Sequence, residues 1–307
     1  MFCVILPKIK ILNYKSYGIA EPKISLGLRL KEYAVLTKLR LSVLVVISAT
    51  SGYLIGSVFN LQHFLLLIGG GFLVTGCSNG LNQILEREYD KLMKRTQNRP
   101  LVKHTLSINE ALVLSLIQGV AGLYLLYLIN PLSAVLGFFA LFTYVVVYTP
   151  MKRISPWAVF VGAFPGAIPP MLGYVASTGV FGLTPGILFL VQFMWQFPHF
   201  WAIAWVLDDD YRLAGYRLLP SKFGRNPSSS FQILVYTAAM IIASALPWVA
   251  NISGVWSLIV CMFCGFVFYR YAYTLHLTQD IKDARKLMFV SFVYLPIVQF
   301  IYVIDKI

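Results

Sequence analysis

The sequence predicts an all-α, polytopic membrane protein with nine spans, and three observations carry that prediction. Hydrophobic residues make up 58% of the 307-residue chain and charged residues 12%, with a mean hydropathy of +0.74, whereas soluble domains carry about 25% charged residues. Apolar runs of spanning length recur at about 41–59, 62–85, 108–129, 131–149, 157–178, 182–206, 230–250, 253–274 and 287–304, each long enough to cross roughly 30 Å of hydrocarbon. The connections alternate in charge. Those near 60, 130, 180 and 251 contain no Lys or Arg, while 86–107, 150–156, 207–229 and 275–286 hold nearly all the basic residues that follow residue 40.

Basic loops stay on the cytoplasmic side, so these four connections and the amino terminus are expected there. The spans leave no room for a sizeable soluble domain. The expected organisation is a cytoplasmic tail over 1–30 and a membrane domain over 31–307, built as two four-helix halves plus a ninth helix. A net charge of +13 would suggest nucleic acid in a soluble protein. Here the bases are scattered over loops instead of lining one face, so no nucleic-acid partner is expected.

In chain order, residues 1–40 hold eight basic residues against Glu21 and Glu32. The apolar start Phe2 to Leu6 is too short for a signal-peptide core, and Leu28 to Leu39 reads as an interfacial amphipathic helix. Cys261 and Cys264 match C-x-x-C only by letter; inside an apolar run they read as small hydrophobes. No Asp, Glu, Lys or Arg occurs from Leu41 to Leu85, and then Asn82, Glu86 and Asp90 recur every four residues. That spacing drifts about 40° per step on a helix, so the three side chains share a face. Lys91, Lys94, Arg95 and Arg99 follow directly. A second acidic stretch, Asp208-Asp209-Asp210-Tyr211-Arg212, ends the sixth span. It lies four spans later on the same side, so the two clusters are expected to face each other at one mouth.

Oxygen ligands of this kind suit Mg²⁺ shared with substrate phosphates, and Arg and Lys clamp the remaining oxygens. Such a set fits the departure of a diphosphate from an allylic carbon. For Asp208 or Glu88 alone, solvation of a loop is the simpler reading; for groups where a helix leaves the bilayer, a functional one is favoured.

Asn82-x-x-x-Glu86-x-x-x-Asp90, running into Met93-x-Arg95-Thr96-x-x-Arg99-Pro100-Leu101, resembles the first signature of the UbiA-type intramembrane prenyltransferases. Three further stretches resemble the branch of that family that farnesylates heme: Tyr148-Thr149-Pro150-Met151-Lys152-Arg153, Gly162 to Gly173, and Trp195-Gln196-x-Pro198-His199-Phe200-Trp201 followed by Asp209-Asp210-Tyr211. The resemblance runs from about Leu30 to the carboxyl end. It departs from the family at Val206, where a second acid is common, and at Glu86, where many relatives carry Asp.

The resemblance implies a helical bundle with a central cavity open to the cytoplasmic side, and farnesyl diphosphate and heme b as substrates, heme being no cofactor. Asn82, Glu86, Asp90 and Asp210 would be catalytic, with Asn82, Glu86, Asp90, Asp209 and Asp210 holding Mg²⁺. Arg95, Arg99, Lys152, Arg153, Tyr148 and His199 would bind substrate, and Phe142 or Tyr148 would steady a farnesyl cation. His199 is open to two readings, a heme ligand or proton acceptor, or a bond to the carbonyl freed by Pro198. Heme A synthase or a terminal oxidase assembly are candidate partners, and a bacterial inner membrane is the expected location. The alternatives are an aromatic prenyltransferase of quinone biosynthesis and a secondary transporter, in which Pro165, Pro169 and Pro170 would break a helix.

Overall fold

Short polar side chains in the connections start the helices. Asn60 accepts from the His63 N–H at 3.0 Å, Ser107 from Glu110 at 3.1 Å, and Asn130 from Ser133 at 2.8 Å. Asn226 accepts from Ser229 and Asp280 from Lys282, both at 2.8 Å. Each satisfies an amide that the helix itself leaves unpaired. The computed structural model describes residues 26–221 and 223–307; the tail expectation for 1–25, and Lys222, lie outside them.

The described chain is helical: α1 (Leu26–Leu36), α2 (Leu39–Ile55), α3 (Leu61–Asp90), α4 (Ile108–Ile129), α5 (Pro131–Phe142), a π-helical stretch (Thr143–Tyr148), the turn α6 (Thr149–Met151), α7 (Ala158–Thr178), α8 (Leu183–Leu213), α9 (Pro227–Val249), α10 (Val255–Thr278) and α11 (Ile281–Ile304). Among the described residues, eight helices are long and apolar enough to cross a membrane, and nine spans result if α1 and α2, bent by 56°, count as one. The protein is therefore a multi-pass membrane protein. Every expected apolar run coincides with a helix. The first is shorter than its run, ending at Ile55 before the extended Gly56.

The expected interfacial helix is α1, which stops because Lys38 adopts a left-handed backbone at φ 49°, a conformation that costs a non-glycine residue about 1 kcal/mol. One polar edge of α1 grips the loop after α3 and the first turn of α4. Arg29 meets Glu110 at 3.0 Å, the Tyr33 hydroxyl donates to Glu110 at 2.6 Å, and Thr105 donates to Glu32 at 2.8 Å.

The centre of the bundle is α7 and α8, with 72% and 67% of their apolar windows buried, against 22% for the lipid-facing α4. Small residues let α7 approach α2 closely. A Cβ on Gly52 would run into the Pro170 carbonyl, and one on Gly173 into that of Ala49, the small-residue contact by which membrane helices pack. The prolines do not break α7, which is continuous from Ala158 to Thr178, contrary to the transporter reading. Pro170 has no N–H to offer the Gly166 carbonyl one turn back. Gln192 of α8 supplies the missing donor at 2.6 Å, the kind of repair a helix needs in lipid.

Candidate active site

Asn82, Glu86 and Asp90 occupy the last three turns of α3 and are 1%, 6% and 1% exposed, on one face as their spacing requires. Each has a partner from another segment. Lys152, at the end of the α6 turn, pairs with Glu86 at 2.5 Å, and Arg99 pairs with Asp90 at 2.5 Å. The Asn82 amide donates to Thr149 Oγ1 at 3.1 Å and accepts from Lys38 Nζ at 3.3 Å. Lys38, Thr149 and Tyr216 went unseen as site residues in the sequence. Lys38 stands 44 positions before Asn82, and only the elbow between α1 and α2 brings it back. Its signal was the pair of bases Lys38 and Arg40 at the mouth of the first span.

The π-helical stretch shapes the opposite wall. Pro150 supplies no N–H, and the Thr149 N–H reaches Tyr144 O, five residues back. The wider turn presents Tyr144 and Tyr148 together, ring centroids 5.4 Å apart, and π-bulges often mark functional sites. Lys152 Nζ lies 4.7 Å from the Tyr148 ring centroid and 5.9 Å from that of Tyr216. Burial, with the Glu86 and Asp90 carboxylates close by, pushes the Tyr216 phenol up, so it stays a neutral hydroxyl at the rim. Phe142, expected near the cation, instead stacks on Phe138 and is 43% exposed toward lipid. It precedes the π turn and so faces away, whereas Tyr144 and Tyr148 line the cavity.

The two acidic clusters meet, but through one residue. Asp210 accepts from the backbone N–H groups of Lys94 at 2.7 Å and Arg95 at 3.3 Å, tying the end of α8 to the loop after α3. Both oxygens thereby hold that loop, so Asp210, expected among the catalytic and metal-binding residues, also clamps the segment that carries Arg95 and Arg99. Asp209, one residue earlier and about 100° around the helix, points away. Its side chain is 80% exposed and pairs with Arg225 at 3.0 Å. Buried Asp208 pairs with Arg212 at 2.9 Å. Arg95 lies 6.0 Å from the Tyr211 ring and Arg153 4.1 Å from that of Tyr89, so both flank the rim while Lys152 and Arg99 point in.

Among the described residues, no three His, Cys, Asp or Glu side chains converge on one point. The donor set nevertheless fits a Mg²⁺ that draws part of its shell from water and phosphate. It offers two carboxylates and an amide in succession, and Asp90 Oδ1 is buried with no hydrogen-bond partner, a costly arrangement for a carboxylate oxygen.

Beneath the rim lies a cavity of about 270 Å³ with an almost wholly apolar lining, reaching from Asn79, Tyr144 and Tyr148 to Trp195, His199 and Phe292. His199 does not bond the carbonyl freed by Pro198. Its Nδ1 lies 2.7 Å from Ser291 Oγ, and that hydroxyl donates to the Met288 carbonyl at 2.5 Å. A hydroxyl has one hydrogen, so Nδ1 is the donor and Nε2 keeps its lone pair. Trp195 stacks on the imidazole at 4.3 Å and Phe292 meets it edge-on at 4.8 Å.

A helical bundle with a charged rim over an apolar cavity is the architecture of an intramembrane transferase, and residues 44–293 match the UbiA prenyltransferase family. The chain belongs to that family. It is 46% identical over 279 residues to the protoheme IX farnesyltransferase of Cytophaga hutchinsonii, covering 90% of this chain and 97% of the relative. Identity to the protein of the same name from Christiangramia forsetii is 43% over 283 residues, covering 90% and 94%. The fold is similar to that of a digeranylgeranylglyceryl phosphate synthase, with TM-score 0.75, 23% identity, and 90% and 98% of the two chains covered. It is also similar to a UbiA homologue from Archaeoglobus fulgidus bound to GPP and Mg²⁺, with TM-score 0.67, 15% identity, and 89% and 99% covered.

Proposed function

We propose that this chain transfers the farnesyl group of farnesyl diphosphate to a vinyl group of heme b, with addition of water, giving heme O and diphosphate. Close relatives named for this reaction span nearly the whole chain, and that carries the reading; the rim and cavity supply chemistry that suits it. Lys152, Arg99 and Arg95 bind the diphosphate oxygens. Asn82, Glu86 and Asp90 would hold Mg²⁺, which when bound supplies positive charge that favours departure of the diphosphate. Breaking the allylic C–O bond leaves a farnesyl cation in the apolar cavity, where the Tyr144 and Tyr148 faces steady it. The vinyl carbon forms the new C–C bond, water adds to the resulting cation, and a proton leaves. His199, with its free Nε2, ligates the heme iron. The basic connections support a rim on the cytoplasmic side of a bacterial inner membrane.

Purified protein given heme b, farnesyl diphosphate and Mg²⁺ is expected to form heme O, identified by mass, and a chelator is expected to stop it. Folded protein that yields no product overturns the proposal. His199→Ala is expected to lose the Soret shift of bound heme while retaining farnesyl diphosphate binding; an unchanged spectrum removes His199 as ligand. Asp210→Ala frees the loop bearing Arg95 and Arg99, so KM for the diphosphate should rise about tenfold, the size of one charged hydrogen bond, with a smaller change in kcat. Asp210→Asn, which still accepts from an N–H, should recover part of the loss. A fall confined to kcat in steady-state assays would place Asp210 on the reacting atoms instead.

A further inference from the structure

Helix α8 ends in a turn that aims one side chain back over α3. Gly215 takes a left-handed backbone with φ 74°, which a residue without a Cβ adopts freely. Nothing lies within 4 Å of where a Cβ would sit, so conformation and not space asks for glycine there. The Gly215 N–H bonds the Arg212 carbonyl at 3.0 Å and the Tyr216 N–H the Tyr211 carbonyl at 2.9 Å, the pair of bonds that closes a helix in this way. In such a turn the residue after the glycine packs back on the last turn of the helix. Tyr216 does so on Tyr211, with ring centroids 6.2 Å apart, and it also lies 6.2 Å from Tyr89 of α3.

So placed, Tyr216 is 3% exposed and its hydroxyl faces the Glu86 and Asp90 carboxylates. Among the described residues that hydroxyl has no hydrogen-bond partner, and neither has Asp90 Oδ1. Lys152 and Arg99 are already drawn to Glu86 and Asp90, whereas the phenol donates to nothing. A buried polar atom left unpaired is costly, and in a native protein it calls for a reason. Packing is not that reason. A phenylalanine would fill the place between Tyr89, Tyr211 and Lys152 without burying a hydroxyl.

We propose that Tyr216 is a further substrate-binding residue, whose hydroxyl donates to an oxygen of the prenyl diphosphate held by Lys152 and Arg99. This rests on the reading of the rim as a diphosphate site. Asp210 acts there at one remove, by fixing the loop that bears the arginines; Tyr216 gives the segment after α8 a direct hold on the substrate. An uncharged donor suits the position, because a lysine there would pair with Glu86 or Asp90 in the absence of substrate. A hydrogen bond to a charged oxygen is stronger than one between neutral groups. Charge on the diphosphate grows as the allylic C–O bond breaks, so the bond from Tyr216 tightens in the transition state.

The test is Tyr216→Phe, which removes the hydroxyl and keeps the ring. Calorimetry on purified protein with Mg²⁺ measures the affinity for two probes, inorganic pyrophosphate and the unreactive farnesyl thiodiphosphate, and thermal unfolding in detergent is recorded without either. Kd for both probes should rise about tenfold, the size of one hydrogen bond to a charged group. The ligand-free protein should unfold at the wild-type temperature or above, since a buried unpaired hydroxyl is gone. With heme b present, kcat/KM for farnesyl diphosphate should fall by at least the same factor. Wild-type affinity in Tyr216→Phe overturns the proposal. So does a ligand-free variant that unfolds well below wild type, because the hydroxyl would then serve the fold. Wild-type protein that binds neither probe overturns the diphosphate site and Tyr216 together. Binding of both probes without turnover of heme b overturns the transfer reaction, while the affinity of Tyr216→Phe still decides the role of its hydroxyl.

Discussion

Asp90→Ala is expected to lower prenyl transfer by about a thousandfold or more, equivalent to roughly 4 kcal/mol of transition-state stabilisation, in a protein that still inserts and folds. Asp90 is 1% exposed, receives Arg99 on one oxygen at 2.5 Å, and keeps the other oxygen without a hydrogen-bond partner. Its removal takes away the carboxylate paired with Arg99 and leaves that charge without its counter-ion. The fold has other supports there, since the loop is also held by Thr96 on the Asp90 backbone carbonyl at 2.9 Å and by Asp210. Asp90→Asn preserves shape and should be nearly as inactive, because the charge is what the reaction needs. Turnover of heme b measured beside gel filtration in detergent checks both halves of this expectation. Full activity in either variant would remove Asp90 from the site.

Gly173→Leu is expected to abolish the folded bundle. A side chain there meets the Ala49 backbone of α2, and backbone, unlike a flexible side chain, has nowhere to retreat. Overpacking a dense core costs about 1–3 kcal/mol where side chains can adjust; here α2 must move off α7 as a unit, drawing the Ser48 hydroxyl off Gln192 of α8. Gly186→Leu on α8 is the control, since a Cβ at that position meets nothing within 4 Å. Monodisperse yield and thermal unfolding in detergent should collapse for the first and stay near wild type for the second. A Gly173→Leu protein as stable as wild type would mean that the two helices do not cross this closely.

Both results bear on what could be read before any coordinates. The Asn82, Glu86 and Asp90 face was legible because its cause is local, a four-residue repeat on one helix. The second acidic run was legible as a place, but the partner each of its residues meets was not. Successive residues on a helix diverge by about 100°, so three adjacent aspartates meet three different surroundings: Arg212, Arg225 and the backbone of the loop after α3. Phe142 lies off the cavity lining for a related reason, because the π-helical stretch begins just after it and turns Tyr144 and Tyr148 inward.

From the amino acids alone came the number and order of the apolar runs, the charged connections, and the motifs that pointed to the family. Hydropathy and helical period act within a dozen residues, so they need no partner to be read. Only the tertiary structure decided which cation meets which carboxylate, that the elbow at Lys38 carries its amine to Asn82, that Ser291 sets the free nitrogen of His199, and that Ser48, Gln192 and Gln299 bond one another from three helices. Those pairings join residues up to 251 positions apart. They depend on how whole helices pack, which in lipid is governed by small residues and buried polar bonds rather than by apolar burial.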